Sequence, residues 1–284
     1  MKLVAVIFVA MIMVFSLVAS IVPGTSSTKQ SNPVAELGKE LAKPLSKVDS
    51  IAPELSLALE RVEDLLPKIS LGEKESGEPG EMHALIDHTD GAFSNFELPR
   101  ANFAGSVVSG AQFDGALLDG ATLEGVTGDS VNFKNARMAK ANLNASALEN
   151  SNFQGAELRQ STARAGIFNG ADFTGGDTSF VSFSGAQLRE SLFVDAYTSG
   201  AIFVTADLTQ ADFTGSDLTG ARFERANLER VTFTRTNLNL TNFTGAKLYG
   251  ADLSEALNLT SEQLVDACAD KSTKLPEGVA APRC

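Results

Sequence analysis

The chain is predicted to be an all-β solenoid, and three features of its middle segment predict it. From residue 91 to 256 an apolar residue recurs at every fifth position, a period produced neither by a helix near 3.6 nor by a strand near 2. A small residue stands two places before the large one in most units, as in ADLTQADFTGSDLTGARFERANL from 206 to 228. Phenylalanine is also sorted rather than scattered: Phe93, Phe113, Phe133, Phe153, Phe173, Phe193, Phe213 and Phe233 fall at steps of 20, until Leu253 breaks the series. Such a repeat buries its apolar side only by stacking on copies of itself.

Bulk composition supplies a core and excludes one class of partner. The 284 residues are 43% hydrophobic, with 18 Phe, 2 Tyr and no Trp, so aromatic rings serve as filler without a polar handle. The net charge of −12, from 35 acids and 23 bases, argues against a nucleic-acid binder, which needs a basic stripe.

The first element, residues 1–24, is a signal peptide or a transmembrane anchor. One lysine, Lys2, precedes an apolar run from Leu3 to Val22, interrupted by Ser16 and Ser20. Twenty helical residues span roughly 30 Å, the thickness of a bilayer core. Val18-Ala19-Ser20 also passes as a small-residue cleavage site, so both readings stand. Either sends the rest of the chain out of the cytoplasm, because Lys2 marks the inside end.

The second element, 32–70, is a helical stalk with broken heptads. Val34, Leu41, Val48, Leu55, Val62 and Ile69 recur every seven residues, with Leu37, Ile51, Ala58 and Leu65 three places after their neighbours. Pro44, Pro53 and Pro67 interrupt the pattern, which favours two or three short helices over one rod. The apolar stripe serves either homo-oligomerisation through 34–69 or packing on the next domain. Residues 71–90 read as an acidic linker. His83 and His88 fall there, beside Asp87 and Asp90, without the spacing that fixes metal ligands, and are expected in a solvated junction.

The third element, 91–256, holds one phase throughout. Every fifth position from Phe93 to Leu253 takes Phe, Leu, Val or Met, except Gly128, Ala163, Thr178 and Thr198. The three remaining places take Asp, Asn, Ser, Thr, Gly, Glu, Arg and Gln. This pattern resembles the pentapeptide-repeat family, whose unit is A-(D/N)-L-x-x. The resemblance implies a right-handed quadrilateral β-helix, each pentapeptide forming one side and four making a coil, here about eight coils of about 20 residues and roughly 40 Å long. The 20-residue Phe ladder agrees with four units per coil. Leu98, Leu118, Met138, Leu158, Thr178, Thr198, Leu218 and Leu238 are expected on the opposite face.

The last element, 257–284, reads as a cap. Thr260 or Ser261 begins a predicted short helix to about Asp270, with Leu264, Val265 and Ala267 covering the final coil. LTSEQL, then Ala267-Cys268 and Leu275-Pro276, is similar to a common tail of bacterial family members. Cys268 and Cys284 are either unrelated thiols or one disulfide, and export favours the disulfide.

Candidate chemistry is sparse. The repeats contain no histidine for a nucleophilic triad and no phosphate-cradling glycine loop. Asp172, Asp207, Asp212, Asp217 and Asp252 follow the small residue and point outward, as solvated, unperturbed acids. Arg225, Arg230 and Arg235 fall on successive sides of one coil, beside Glu224 and Glu229, as dispersed surface charge. Residues 91–256 carry 18 acids and 12 bases. No catalytic residue, metal or cofactor is expected.

The segment GGDTSF departs from the repeat. Thr178 and Thr198 put hydroxyls at successive interior sites, Gly175 and Gly176 permit unusual backbone angles, and Phe180 stands at an exterior place. A local irregularity between 175 and 200 is expected, with partner contact at Thr178, Phe180 and Thr198.

The resulting reading is a non-enzymatic scaffold or protein-interaction module, anchored through residues 3–22 in a bacterial inner membrane and facing the periplasm, or periplasmic or secreted if the signal is cleaved. Its alternatives are a subunit of a larger membrane complex docked through the N-terminal helices, and a DNA-mimicking partner of gyrase such as some family members are. The export segment and interspersed arginines weigh against the mimic.

Overall fold

The computed structural model describes residues 83–284. The apolar run 3–22, the heptads of 34–69 and the linker as far as residue 82 lie outside the described residues.

Backbone hydrogen bonding explains why the unit is five residues long. In the unit Ser151–Gly155, Asn152 N–H donates to Val131 O one coil below at 2.8 Å, and Phe153 N–H donates to Asp172 O one coil above at 2.7 Å. Gly155 N–H reaches Thr174 O at 3.0 Å, and the next unit's Ala156 N–H closes the corner onto Phe153 O at 3.0 Å. The remaining donor, Gln154 N–H, is taken by the side-chain oxygen of Asn152 at 2.9 Å. Asp or Asn before the large residue thus completes the accounting of buried or cramped donors. The same bond recurs at Asn102, Asn142, Asp172, Asp177, Asp207 and Asp217, among others. The fifth residue takes φ near +60° on unit after unit, which is why Gly and Asn are frequent there.

Parallel bridges 20 residues apart build four ladders. They run Asp87 to Cys268, Ala92 to Lys274, Glu97 to Leu257 and Asn102 to Asn242. Naming faces by interior residue, Phe93 begins the first, Leu98 the second, Phe103 the third and Val108 the fourth. Interior side chains are sealed: Phe113 to Phe233 at steps of 20 are all fully buried, whereas Phe93 at the open end is only partly so.

One sequence expectation about the faces is corrected. Leu98 and its successors do not lie opposite the Phe ladder, because consecutive pentapeptides occupy adjacent sides of the coil. The opposite face lies ten residues on, and it carries a second column, Phe183, Phe203, Phe223 and Phe243, stacked at 5.3, 4.9 and 5.5 Å. The two columns meet edge-to-face across the core, as Phe193 with Phe203 at 5.8 Å and Phe203 with Phe213 at 5.7 Å. Both arrangements are favoured by the aromatic quadrupole. The small residues let the corners close; where Ser replaces Ala it satisfies itself locally, as Ser146 Oγ donating to Leu143 O at 2.8 Å.

Both ends differ from expectation. The coil begins before residue 91: Asp87 bridges Val107, and His83 and His88 occupy interior positions in phase with Phe93. His83 stacks on Phe103 at 4.6 Å and His88 meets Phe93 edge-on at 5.3 Å, so the histidines plug the open end of the aromatic columns instead of sitting in a solvated linker.

At the other end the predicted helix to Asp270 is absent. A single 3-10 turn, Glu262–Leu264, stands in its place. The reason is the demand of the last coil for donors and extended chain. Gln263 Nε2 donates to Leu238 O and Thr241 O at 2.7 and 2.9 Å, while Cys268 continues the ladder beside Lys247. Leu264 and Ala267 are buried as expected, but Val265 is exposed. Leu275, Val279 and Ala281 pack on the core in its place, and Cys268 and Cys284 form a disulfide with their Cα atoms 5.5 Å apart.

Candidate interaction surface

The expected irregularity between 175 and 200 is absent. The bridges Asp172–Leu192, Asp177–Tyr197 and Ser182–Ile202 keep the 20-residue step, and Gly175, at φ +65°, adopts the angle of every other corner. Threonine matches valine in shape, so two hydroxyls enter the core without moving the backbone. Thr178 Oγ1 lies 3.4 Å from Tyr197 O, a weak bond, and Thr198 Oγ1 is buried with no partner among the described residues. Thr198→Val is therefore expected to raise stability by about 1–2 kcal/mol, and Thr178→Val to change it by under about 0.5. Urea melts of both variants check this; a loss at Thr198 would show that the hydroxyl has a partner.

Thr178 and Thr198 are enclosed, so neither presents a side chain to a partner. Phe180, by contrast, is 62% exposed at the corner after the second face, and its ring leans over Gly200 of the next coil. A Cβ at residue 200 would stand 2.6 Å from that ring. Gly200 thus both adopts φ +66° and provides the seat for Phe180.

The structure adds residues that the sequence reading passed over. Leu192, Tyr197 and Ile202 occupy the bridging position on three successive sides of one coil, where the unit elsewhere favours Asp or Asn. None of the three can accept the corner N–H that Asn152 accepts. Tyr197 is 63% exposed and Leu192 is 38% exposed. The departure is legible in the sequence as the apolar part of a five-unit run, Ser182 to Ile202, without Asp or Asn at this position; a second such run spans Val107 to Thr127. Farther along the second face and its corner, Leu240 and Leu257 are also exposed.

Acidic groups frame this zone, and of the acids expected from sequence to be unperturbed, Asp207, Asp217 and Asp252 are shifted. Partial burial works to raise the Asp217 carboxyl, but hydrogen bonds from Thr219, Ser199 and Asn237 outweigh it and hold it below the ordinary carboxylate range. Asp177 and Asp207 behave likewise, with burial opposed by Ser179 and Arg159 at the first and by Thr209 and Arg189 at the second. Asp252 is lowered chiefly by Lys274, whose Nζ lies 2.7 Å away. Asp270, in the tail, is pushed down to about 2, first by Ser272 and, against desolvation, by Gly250 N–H and Thr273. These bonds fix corners, which accounts for the carboxylates structurally. Arg222 likewise pairs with Glu224, and Arg230 with Glu229 at 3.7 Å, consistent with dispersed surface charge.

At the open end, burial, followed by the neighbouring His83, holds the His88 imidazole below its ordinary value. A histidine depressed in the folded state contributes stability that is present above its unfolded pKa, near 6.5, and lost as pH falls below it. Between pH 7.5 and 5 the first coil is expected to lose hydrogen-exchange protection at Asp90 and Asn95, while Phe213 and Phe233 keep theirs. Uniform protection would contradict the placement of His88.

Among the described residues no group of His, Cys, Asp and Glu is arranged to hold a metal ion, and no helix is long and apolar enough to cross a membrane. A cavity of about 250 Å³ lies under the C-terminal tail, lined by Asp270, Thr273, Leu275, Val279 and Arg283 among others.

Comparison with known proteins follows the geometry. The family model for the pentapeptide repeat region matches residues 166–243, and that for pentapeptide repeats (8 copies) matches overlapping stretches from 92 to 177. No curated protein matches the chain. A trypsin-treated form of QnrB1, a plasmid-mediated fluoroquinolone resistance protein, is similar in fold, with TM-score 0.50 at 18% identity over 69% of this chain and 92% of that one. HetL, a pentapeptide repeat protein involved in heterocyst differentiation regulation from Nostoc sp. strain PCC 7120, matches with TM-score 0.30 at 22% identity over 76% and 91%. A pentapeptide repeat protein from the Arabidopsis thaliana thylakoid lumen matches at 36% identity over 35% of this chain and 72% of that one, with TM-score 0.28. With four parallel ladders and family models that together reach from residue 92 to 243, the chain belongs to the pentapeptide-repeat family.

Proposed function

We propose that this protein is a non-enzymatic scaffold: a stiff β-helical rod, exported or held at a membrane by residues 3–22, that presents one face to another protein. The observation that carries the reading is that two aromatic side chains in the middle of the rod, Phe180 and Tyr197, are each more than 60% exposed. Large exposed aromatics on neighbouring coils are characteristic of protein contacts, and the regular coil beneath them fixes where each ring starts. The outward carboxylates are engaged in corner hydrogen bonds, which favours a structural role over acid–base chemistry. Export is supported by the Cys268–Cys284 disulfide, since such bonds persist in oxidising compartments. Fold alone does not fix function, and the apolar pair narrows it.

Fractionation of cells expressing the full chain tests this reading, combined with thiol labelling before lysis. Recovery in the membrane or exported fraction with both cysteines unreactive is expected. A cytoplasmic protein with two reactive thiols would contradict it.

A further inference from the structure

Resting on that interaction reading, we propose that the zone formed by Tyr197 on the second face and Phe180 at its corner, with Leu192 around the other corner on the first face, docks a short cationic segment of another protein, bearing apolar side chains between its basic ones. Three independent features lead there. First, the coil that carries Leu192, Tyr197 and Ile202 gives up the side-chain acceptor of its corners on three successive sides, with no distortion that would explain the change. Phe180 likewise places a bulky ring at φ +58°, an angle that Gly or Asn adopts more readily. The fold gains nothing visible from these choices, whereas a partner gains fixed apolar anchors.

Second, the anchors are pre-positioned. Phe180 is seated on Gly200, and Tyr197 rises from a bridged backbone position beside Asp177 and Asp217, so the backbone under each ring is already ordered before binding. Pre-ordered aromatic side chains lose little entropy in contact.

Third, the charge around them is predominantly negative. Asp195 precedes Tyr197 by two residues, Asp212 and Asp217 stand one coil above, and Asp172 stands one coil below Leu192. Arg159, the base reaching toward this zone, is tied to Asp177. An acid-framed aromatic pair complements guanidinium or ammonium groups, which also stack on aromatic faces. The same frame repels an anionic lipid surface, and it repels a second copy of a chain whose net charge is −12.

The test uses the full chain, solubilised, and a 14-residue probe peptide of Leu and Arg carrying a single Trp. The protein has no Trp, so the peptide alone reports binding by fluorescence. The double variant Phe180→Asn/Tyr197→Asn restores residues that the repeat prefers at both positions and leaves the charge unchanged. It is expected to melt no lower than the parent and to bind the peptide at least about tenfold more weakly. Binding is expected to weaken with added salt and to be lost for the peptide with Glu in place of Arg; phosphatidylglycerol vesicles, which residues 3–22 can engage by themselves, are expected to take up the parent and the double variant equally.

Equal affinity in the double variant overturns the proposal, as does equal affinity for the Glu peptide. Vesicle binding that falls in the double variant would assign the zone to a lipid surface, and loss of a dimer in sedimentation of the variant would assign it to self-association; either result overturns it too. A variant that melts well below the parent would make the rings structural and also end the claim. If the double variant is still cross-linked to a partner protein in its native compartment, the scaffold reading stands and this assignment alone falls.

Discussion

Replacing Phe203 by alanine is expected to cost about 4–5 kcal/mol, the upper end for a buried phenylalanine. Its ring is stacked between Phe183 at 5.3 Å and Phe223 at 4.9 Å, and it meets Phe193 and Phe213 edge-on at 5.8 and 5.7 Å. Each such contact contributes beyond the buried area, and the rod cannot collapse around the void, because its backbone is held at the 20-residue step on both sides. Phe153 is stacked at 4.8 Å on both Phe133 and Phe173 but has only one edge-on neighbour, Phe168 at 6.3 Å, so Phe153→Ala is expected to cost less, about 3–4 kcal/mol. Gln154→Ala, on the outside of the same coil, is expected to cost under about 0.5. Urea melts rank the three, and similar losses at Phe153 and Gln154 would refute the inward and outward assignment.

The second large effect is expected at the C-terminal end. Cys284→Ser removes the bond that ties the tail to Cys268, 16 residues away in sequence, and is expected to cost up to about 3 kcal/mol. The tail brings Leu275, Val279 and Ala281 onto the core and puts Thr273 Oγ1 2.8 Å from Leu248 O. Fraying is therefore expected to spread from residue 284 toward Asp270, while the turn at Glu262–Leu264 persists through the bonds of Gln263. Hydrogen exchange in the parent, with and without a reductant, gives the same comparison without a substitution. No change in protection from Thr273 to Val279 would show that the bond holds nothing in place.

What could be read in advance follows from what repeats. The interior columns were visible because position 20 residues on means the next coil, and Phe113 to Phe233 kept that step. The side-by-side order of the faces follows from chain continuity, which puts Leu98 next to the Phe93 column and the Phe183 to Phe243 column opposite it. His83 and His88 were in phase with Phe93, but their polarity suggested solvent; stacking on Phe103 shows an imidazole serving as an aromatic plug. The tail resisted reading because its shape is set by carbonyls at Leu238, Thr241 and Leu248, which recruit Gln263 and Thr273 from a different part of the sequence. At the candidate surface, Phe180 stood out as misplaced. Tyr197 and Leu192 did not, because an outward position tolerates any residue until the corner bond that Asp or Asn makes there is known.

The central claim is that one face of this rod meets another protein. Photo-cross-linking from the full chain in its native compartment tests it most directly, with the reactive residue placed at Tyr197 and, as a control, at Asn142 on the third face. The account predicts a discrete protein adduct from position 197 and none from 142. No adduct from 197, or the same adducts from both positions, would contradict it.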